Sequence, residues 1–183
     1  VGENIKAAAA LPMVFRGRHK LKAALHRPAI AGRGVAVASA HLPGSIRRPV
    51  HMIRVELAAI VINERSDEQV IALREADGQR QFPIVIGMFE AFAIDRIVKG
   101  RASERPLTHD LLGAVVETLG ARVVRVSIDD LREETYYAKV VLRRGEDDEV
   151  SVDARPSDAI TLALRSQAPI YVAERVMNAA APG

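Results

Sequence analysis

The sequence predicts an α+β fold: one compact domain of mainly antiparallel strands packed with about three helices, behind a basic N-terminal arm. Three observations carry the prediction. After Met52, strand-like and helix-like segments come in blocks rather than in strict alternation. Within each block the strands are separated by short, turn-forming stretches. Residues 1–51, by contrast, sustain neither a period of 2 nor one of 3.6 long enough to bury a face.

The arm is set apart by charge. Residues 1–51 carry nine Lys or Arg against a single acid, Glu3, a charge of +8, and hold four of the five histidines. Residues 52–183 carry 17 basic and 22 acidic side chains, a charge of −5, so the net +3 of the chain hides two opposite parts. Three readings of the arm compete: an organellar transit peptide, a disordered arm that touches phosphates, or an extension outside the mature protein with Met52 at the natural start.

From Met52 each element has a local reason. Ile53–Leu57 alternates and 58–62 is continuously apolar, which reads as a strand that is half exposed and then buried. A turn at 63–68 leads to a second strand over 70–74, and Asp77-Gly78 turns the chain into a third over 82–86. Gly87 opens a helix over 88–99 that Gly100 stops, with Phe89, Phe92, Ala93 and Ile97 expected on its inward face. The next helix, 111–119, has Thr108 placed as N-cap and Leu107 and Leu112 spaced as a hydrophobic staple. Three strands follow, over 123–128, 135–142 and 149–153, joined at 129–134 and 144–148. Pro156 suits the first position of a helix running to Ser166, with Ile160, Ala163 and Leu164 inward. Pro169 breaks it, Ile170-Tyr171-Val172 is a short last strand, and a terminal turn or helix closes the domain. Domain bounds of 52–178 and a flexible tail of 179–183 follow.

Composition excludes several function classes. Apolar residues make up 49% and charged residues 27% of the 183, a globular balance. No apolar run is long enough for a membrane helix. With no cysteine there is no disulfide framework, thiol nucleophile or Cys-ligated metal, and a cytoplasmic setting is the natural expectation unless the arm is a transit peptide. The phosphate-binding P-loop, the dinucleotide glycine fingerprint, the GxSxG elbow and the HExxH zinc motif are all missing.

The candidate residues sit at helix starts. His109 is the one histidine of 52–183, and beside Asp110 it suits a general acid or base. Asp153 through Asp158 is the densest polar cluster: Arg155 could clamp a phosphate, the helix start offers free N–H groups, and the carboxylates could ligate Mg²⁺. Glu90 lies in the first turn of its own helix, and Arg96, Lys99, Arg101 and Arg105 form a modest basic run. Each also has a plain structural reading. First-turn acids complement the helix dipole, Arg155 can pair with Asp153, and a basic run can be a solvated helix end. Tyr136 and Tyr137 point to opposite faces of their strand, so at most one packs inward and no aromatic platform is expected.

Four blocks taken together resemble the bifunctional nuclease domain family: Phe82-Pro83-Ile84-Val85-Ile86-Gly87 with Glu90-Ala91, RPLTHDLL at 105–112, Val152 through Ala159, and Ala168-Pro169-Ile170-Tyr171-Val172. The resemblance spans about Ile53 to Val176. It implies a nuclease acting on DNA and RNA, in a compact α+β domain prone to self-association as a homo-oligomer. The family's shared polar positions fall on Glu90, His109, Asp110, Arg155, Ser157 and Asp158. The resulting expectation is catalysis by His109, Asp110 and Asp158, and substrate binding by Arg155, Ser157 and Arg105. A Mg²⁺ ion would lie on Asp158 with Asp110 or Glu90. Where the family pattern leads one to expect an aromatic ring, this chain has Val85, which removes a possible stacking surface. The geometry requires the helix starts near 108 and 156 to lie within several ångströms of each other. The acidic balance of 52–183 argues against tight non-specific polyanion binding. Two alternatives therefore stand beside the nuclease: a non-catalytic nucleotide or nucleic-acid binding module, and a structural or regulatory oligomerisation domain.

Overall fold

The computed structural model describes residues 51–63 and 65–181. The readings of the 1–51 arm therefore fall, His51 apart, outside the described residues. Strands β1 (Met52–Val61), β2 (Glu68–Glu75) and β3 (Gln81–Gly87) form one antiparallel meander. Helices α1 (Met88–Val98) and α2 (Thr108–Thr118) follow. A second meander comprises β4 (Ala121–Arg132), β5 (Thr135–Arg144) and β6 (Asp148–Ala154). Helix α3 (Pro156–Ser166), strand β7 (Ile170–Ala173) and helix α4 (Glu174–Ala180) complete the domain. Helix α4 reaches two residues beyond 178, so ordered structure extends into the stretch expected as a tail.

All seven strands belong to one sheet in the order β3-β2-β1-β7-β4-β5-β6. The last strand in the chain is thus the central one, antiparallel to β1 and parallel to β4. Alternation along the strands sends Val55, Leu73, Phe82, Ile84, Val126 and Ile128 into one core, where each is almost completely buried. The sheet curls: four strands separate Phe82 on β3 from Tyr136 on β5 in the order, yet their ring centroids are 5.8 Å apart. Tyr136 is the inward member of its pair and donates a hydrogen bond to the Pro83 carbonyl at 3.2 Å. Proline is tolerated at that position because β3 is an edge strand, where a missing N–H leaves no ladder bond unmade. None of the described helices is long and apolar enough to cross a membrane.

Two expectations are corrected. The inward face of α1 is not Phe89, Phe92, Ala93 and Ile97: the buried residues are Ala91, Ile94 and Asp95, while Phe89 is 86% and Phe92 50% exposed. Most of α1 is apolar, so its periodicity admits two stripes, and the core accepts the one with smaller side chains because α1 packs closely on α3. The N-cap of α2 is Leu107, not Thr108; the role falls instead to Asp110, three residues on, whose carboxylate accepts the Leu107 N–H at 3.1 Å. Leu107 and Leu112 are both substantially exposed and do not act as a staple.

The β4–β5 connection is tighter than the sequence suggests. Arg132 pairs with Thr135, leaving Glu133 and Glu134 as a two-residue turn with φ of 47° and 63°. Both lie in the left-handed region, as a type I′ turn requires, and neither is Asn or Gly, so the chain carries local strain there. Glu134→Gly is expected to raise stability by about 0.5–1 kcal/mol. A guanidinium melt that shows no gain, or a loss, would mean that the turn is not of this type.

Candidate functional site

The first turns of three helices meet through one string of polar contacts. Helix α3 begins because Arg155 is extended (φ −68°, ψ 147°) and Pro156 follows with φ already fixed for a helix. That geometry leaves the Arg155 side chain beside its own first turn. Its Nε donates to Asp158 Oδ2 at 2.8 Å and its Nη2 to Asp158 Oδ1 at 3.2 Å. Its Nη1 reaches Glu90 Oε1 in the first turn of α1 at 2.9 Å. On the other side, Asp158 Oδ1 lies 3.1 Å from His109 Nε2 in the first turn of α2. Glu90, Arg155, Asp158 and His109 therefore form one continuous network, and the two helix starts lie as close as the composite site requires.

The electrostatics fix protonation. Burial pushes the Asp158 carboxyl up, but the hydrogen bonds from Arg155 and His109 outweigh it and hold it below the ordinary aspartate value. The Asp158 bond in turn raises Arg155. An ionised Asp158 can only accept, so His109 donates from Nε2 and turns Nδ1 away from that bond. Arg155 directs three N–H groups at carboxylates and, of the five a guanidinium carries, has two left for an anion.

Asp110 is placed differently. Its carboxylate caps α2 and binds Arg96 Nη2 at 2.8 Å, with Arg165 at 3.8 Å. Burial pushes it up, and the Arg96 and Leu107 hydrogen bonds bring it below the ordinary value. It does not line the groove described next, and its contacts are those of an N-terminal cap. Helix α2 approaches α3 closely because Gly113 is buried under the Arg165 guanidinium, which a Cβ at 113 would strike. Arg165 also donates to Glu117 at 2.9 Å.

The network lines a groove of about 1130 Å³ between α1, α2, α3 and the β5–β6 edge. Glu90, His109, Arg155 and Asp158 all face it, and so does Arg96. The remaining wall is largely apolar, with Phe89 and Phe92 from α1, Leu112 from α2, and Val140, Leu142 and Val152 from the sheet. Ser157 is only 6% exposed, and Arg105 is exposed but outside the groove wall. Val85 is absent from the wall too, so an aromatic ring at that position would not stack inside the groove.

A divalent ion does not fit this arrangement of side chains. The Arg155 guanidinium already occupies the space between Glu90 and Asp158, and Asp110 is engaged by arginines of its own. Among the described residues no three His, Cys, Asp or Glu side chains converge as a metal cluster. Sequence reasoning missed Phe89 and Phe92 as groove residues. The signal was present in α1, whose aromatics lie off the Ala91–Ile94 stripe, but periodicity alone does not choose between stripes.

Comparison with known proteins gives a consistent family. The model of the bifunctional nuclease domain matches residues 71–182. An uncharacterized protein of Mycobacterium tuberculosis is 41% identical over 126 residues, covering 69% of this chain and 74% of that protein. Bifunctional nuclease 1 of Oryza sativa subsp. indica is 25% identical over 118 residues, 63% of this chain and 36% of the plant protein. Bifunctional nuclease 2 of Arabidopsis thaliana is 30% identical over 105 residues, 56% of this chain and 32% of that protein. The chain thus spans about a third of the plant relatives.

The depressed carboxylates predict acid sensitivity with a definite sign. Asp110 and Asp158 have lowered folded values, so their stabilisation is complete above about pH 4 and is lost as pH falls through those values. Thermal melts between pH 5 and 3 should show a shallower fall for Asp158→Asn than for the unaltered protein, with a cost of about 1 kcal/mol at neutral pH. Parallel curves would mean that Asp158 is not held by Arg155 and His109 in solution.

Proposed function

The chain belongs to the bifunctional nuclease domain family, and from that premise we propose that it hydrolyses phosphodiester bonds of DNA and RNA at the rim formed by Arg155, Asp158 and His109. The observation that carries this reading is the Asp158 carboxylate shared by Arg155 and His109, at 2.8 and 3.1 Å. It brings a guanidinium that could hold a phosphate and an imidazole that could move a proton together on the wall of one groove.

In the proposed reaction the two outward N–H groups of Arg155 hold a non-bridging oxygen of the phosphate. Water adds to phosphorus while the bond to the leaving sugar oxygen breaks, and that oxygen takes a proton from solvent water and departs as a hydroxyl. His109 takes the proton of the attacking water at Nδ1, and the imidazolium so formed is stabilised by Asp158. Glu90 fixes Arg155 from the far side and is a positioning residue. Asp110 holds the start of α2, and so His109, in place.

His109→Ala in the full chain should lower cleavage of both single-stranded RNA and DNA by about 10²–10⁴-fold with the fold intact by circular dichroism. Arg155→Lys should raise KM more than it lowers kcat, since a lysine cannot reproduce the forked contact. A chelator should leave the rate unchanged. Unaltered activity in His109→Ala would overturn the assignment, and a chelator-sensitive rate restored by Mg²⁺ would overturn the metal-free chemistry. Binding without cleavage in the unaltered protein would leave the non-catalytic module as the correct account.

A second reading, self-association, is favoured by one specific feature. Leu111 and Val115 on α2 and Leu119 at its C-cap form an i, i+4, i+8 stripe, all substantially exposed, with Leu119 at 70%. We propose that this stripe is a contact between copies of the chain. Light scattering should then give a homo-oligomer that Leu111→Glu with Leu119→Glu dissociates; a monomeric unaltered protein would remove the proposal.

A further inference from the structure

We propose that the groove takes a single unpaired nucleobase, with the phosphate of that nucleotide at the Arg155–His109 rim, so that single-stranded nucleic acid and not duplex is what this site engages. The inference deepens the nuclease reading and rests on it for the identity of the anion. Its own ground is that one groove is lined both by this polar cluster and by exposed aromatic and aliphatic side chains.

The polar cluster is small and matches one phosphodiester: a guanidinium with two unengaged N–H groups and an imidazole on the same carboxylate. Most of the remaining lining is an apolar trough that includes Phe89, Phe92, Leu112 and Val152. At about 1130 Å³ the whole groove is roomy enough for a nucleotide and part of its neighbour. Phe89 and Phe92 are excluded from the core although Ile94 and Ala91 on the same helix are completely buried, so both rings remain available to a ligand.

A duplex offers such a trough nothing. Its phosphates are outside, its bases are stacked, and its edges are polar, whereas an unstacked base exposes a flat apolar face suited to aromatic walls. Charge points the same way. Residues 52–183 carry −5, so the electrostatic attraction that dominates duplex binding is not supplied by this part of the chain. Affinity must then come from burying a base beside one well-placed arginine. An acyl chain would also suit apolar walls, but it does not call for the forked donor and imidazole at the rim.

The test is binding, read by fluorescence anisotropy at physiological salt with the full chain. The probes are a short oligoadenylate DNA strand, the same strand carrying one central abasic nucleotide, and its duplex. The plain strand should bind at least tenfold more tightly than either of the others. Phe92→Ala should weaken the plain strand by about 5- to 100-fold while changing the abasic strand less than twofold, and Phe92→Trp should restore binding. Equal affinity for strand and duplex would overturn the inference, as would an equal effect of Phe92→Ala on plain and abasic strands. Base-dependent binding without any cleavage would sink the nuclease reading and leave this one standing. Cleavage indifferent to Phe92 and to the base would do the reverse.

Discussion

The four residues of β7 hold the architecture together. β7 is the one strand through which the two three-stranded meanders meet, pairing with β1 on one side and β4 on the other. A strand that short makes few ladder bonds, so its place depends on side-chain burial: Ile170, Val172 and Ala173 are all almost completely enclosed. Its position also dictates the path of α3. Because β6 lies at one edge of the sheet and β7 at its centre, the connecting helix must cross β5 and β4, and that crossing brings residues 155–158 alongside the starts of α1 and α2. The groove is a consequence of inserting the last strand in the middle.

Once the helices are so placed, their first turns pose an electrostatic problem that the polar string resolves. Each of the three helices carries an acid in its first turn, Glu90, Asp110 and Asp158, which complements the partial positive charge of free N–H groups. Bringing such acids together would repel, and arginines separate them: Arg155 between Glu90 and Asp158, Arg96 and Arg165 around Asp110. These pairs are partly exposed and individually contribute little stability. Their effect is geometric. They fix the orientation of each carboxylate, and they leave His109 with one defined hydrogen-bond partner in the groove.

Local features of this arrangement were legible in the sequence, and long-range ones were not. Pro156, with the acid two residues on, marks the start of α3 whatever surrounds it, because that is a matter of backbone torsion. Asp77-Gly78 marks the reversal between β2 and β3, although the chain makes it as a loop over 76–80 without a positive φ at Gly78. The meeting of His109 and Asp158, 49 residues apart, depends on sheet order, which no short-range pattern encodes. Asp110 had two readings from the start, and the contacts it makes are those of the cap. The Glu133–Glu134 turn escaped notice because left-handed residues usually declare themselves as Asn or Gly. The face of α1 was misread for a different reason: both of its stripes are apolar, and the choice between them is made by how closely α3 approaches.

That last choice shapes what the domain can bind. The sequence has four phenylalanines; Phe15 lies outside the described residues, Phe82 is wholly buried, and Phe89 and Phe92 both stand on the groove. A core built from Phe89 and Phe92 would have held α1 away from α3 by the width of a ring and carried Glu90 out of reach of Arg155. Building it from Ala91 and Ile94 instead draws the helices together, closes the Glu90–Arg155 contact at 2.9 Å, and turns both rings outward beside it. Close helix packing, the ion pair at the rim and the aromatic wall of the groove are therefore one structural decision. A bulky residue at Ala91 would disturb all three at once.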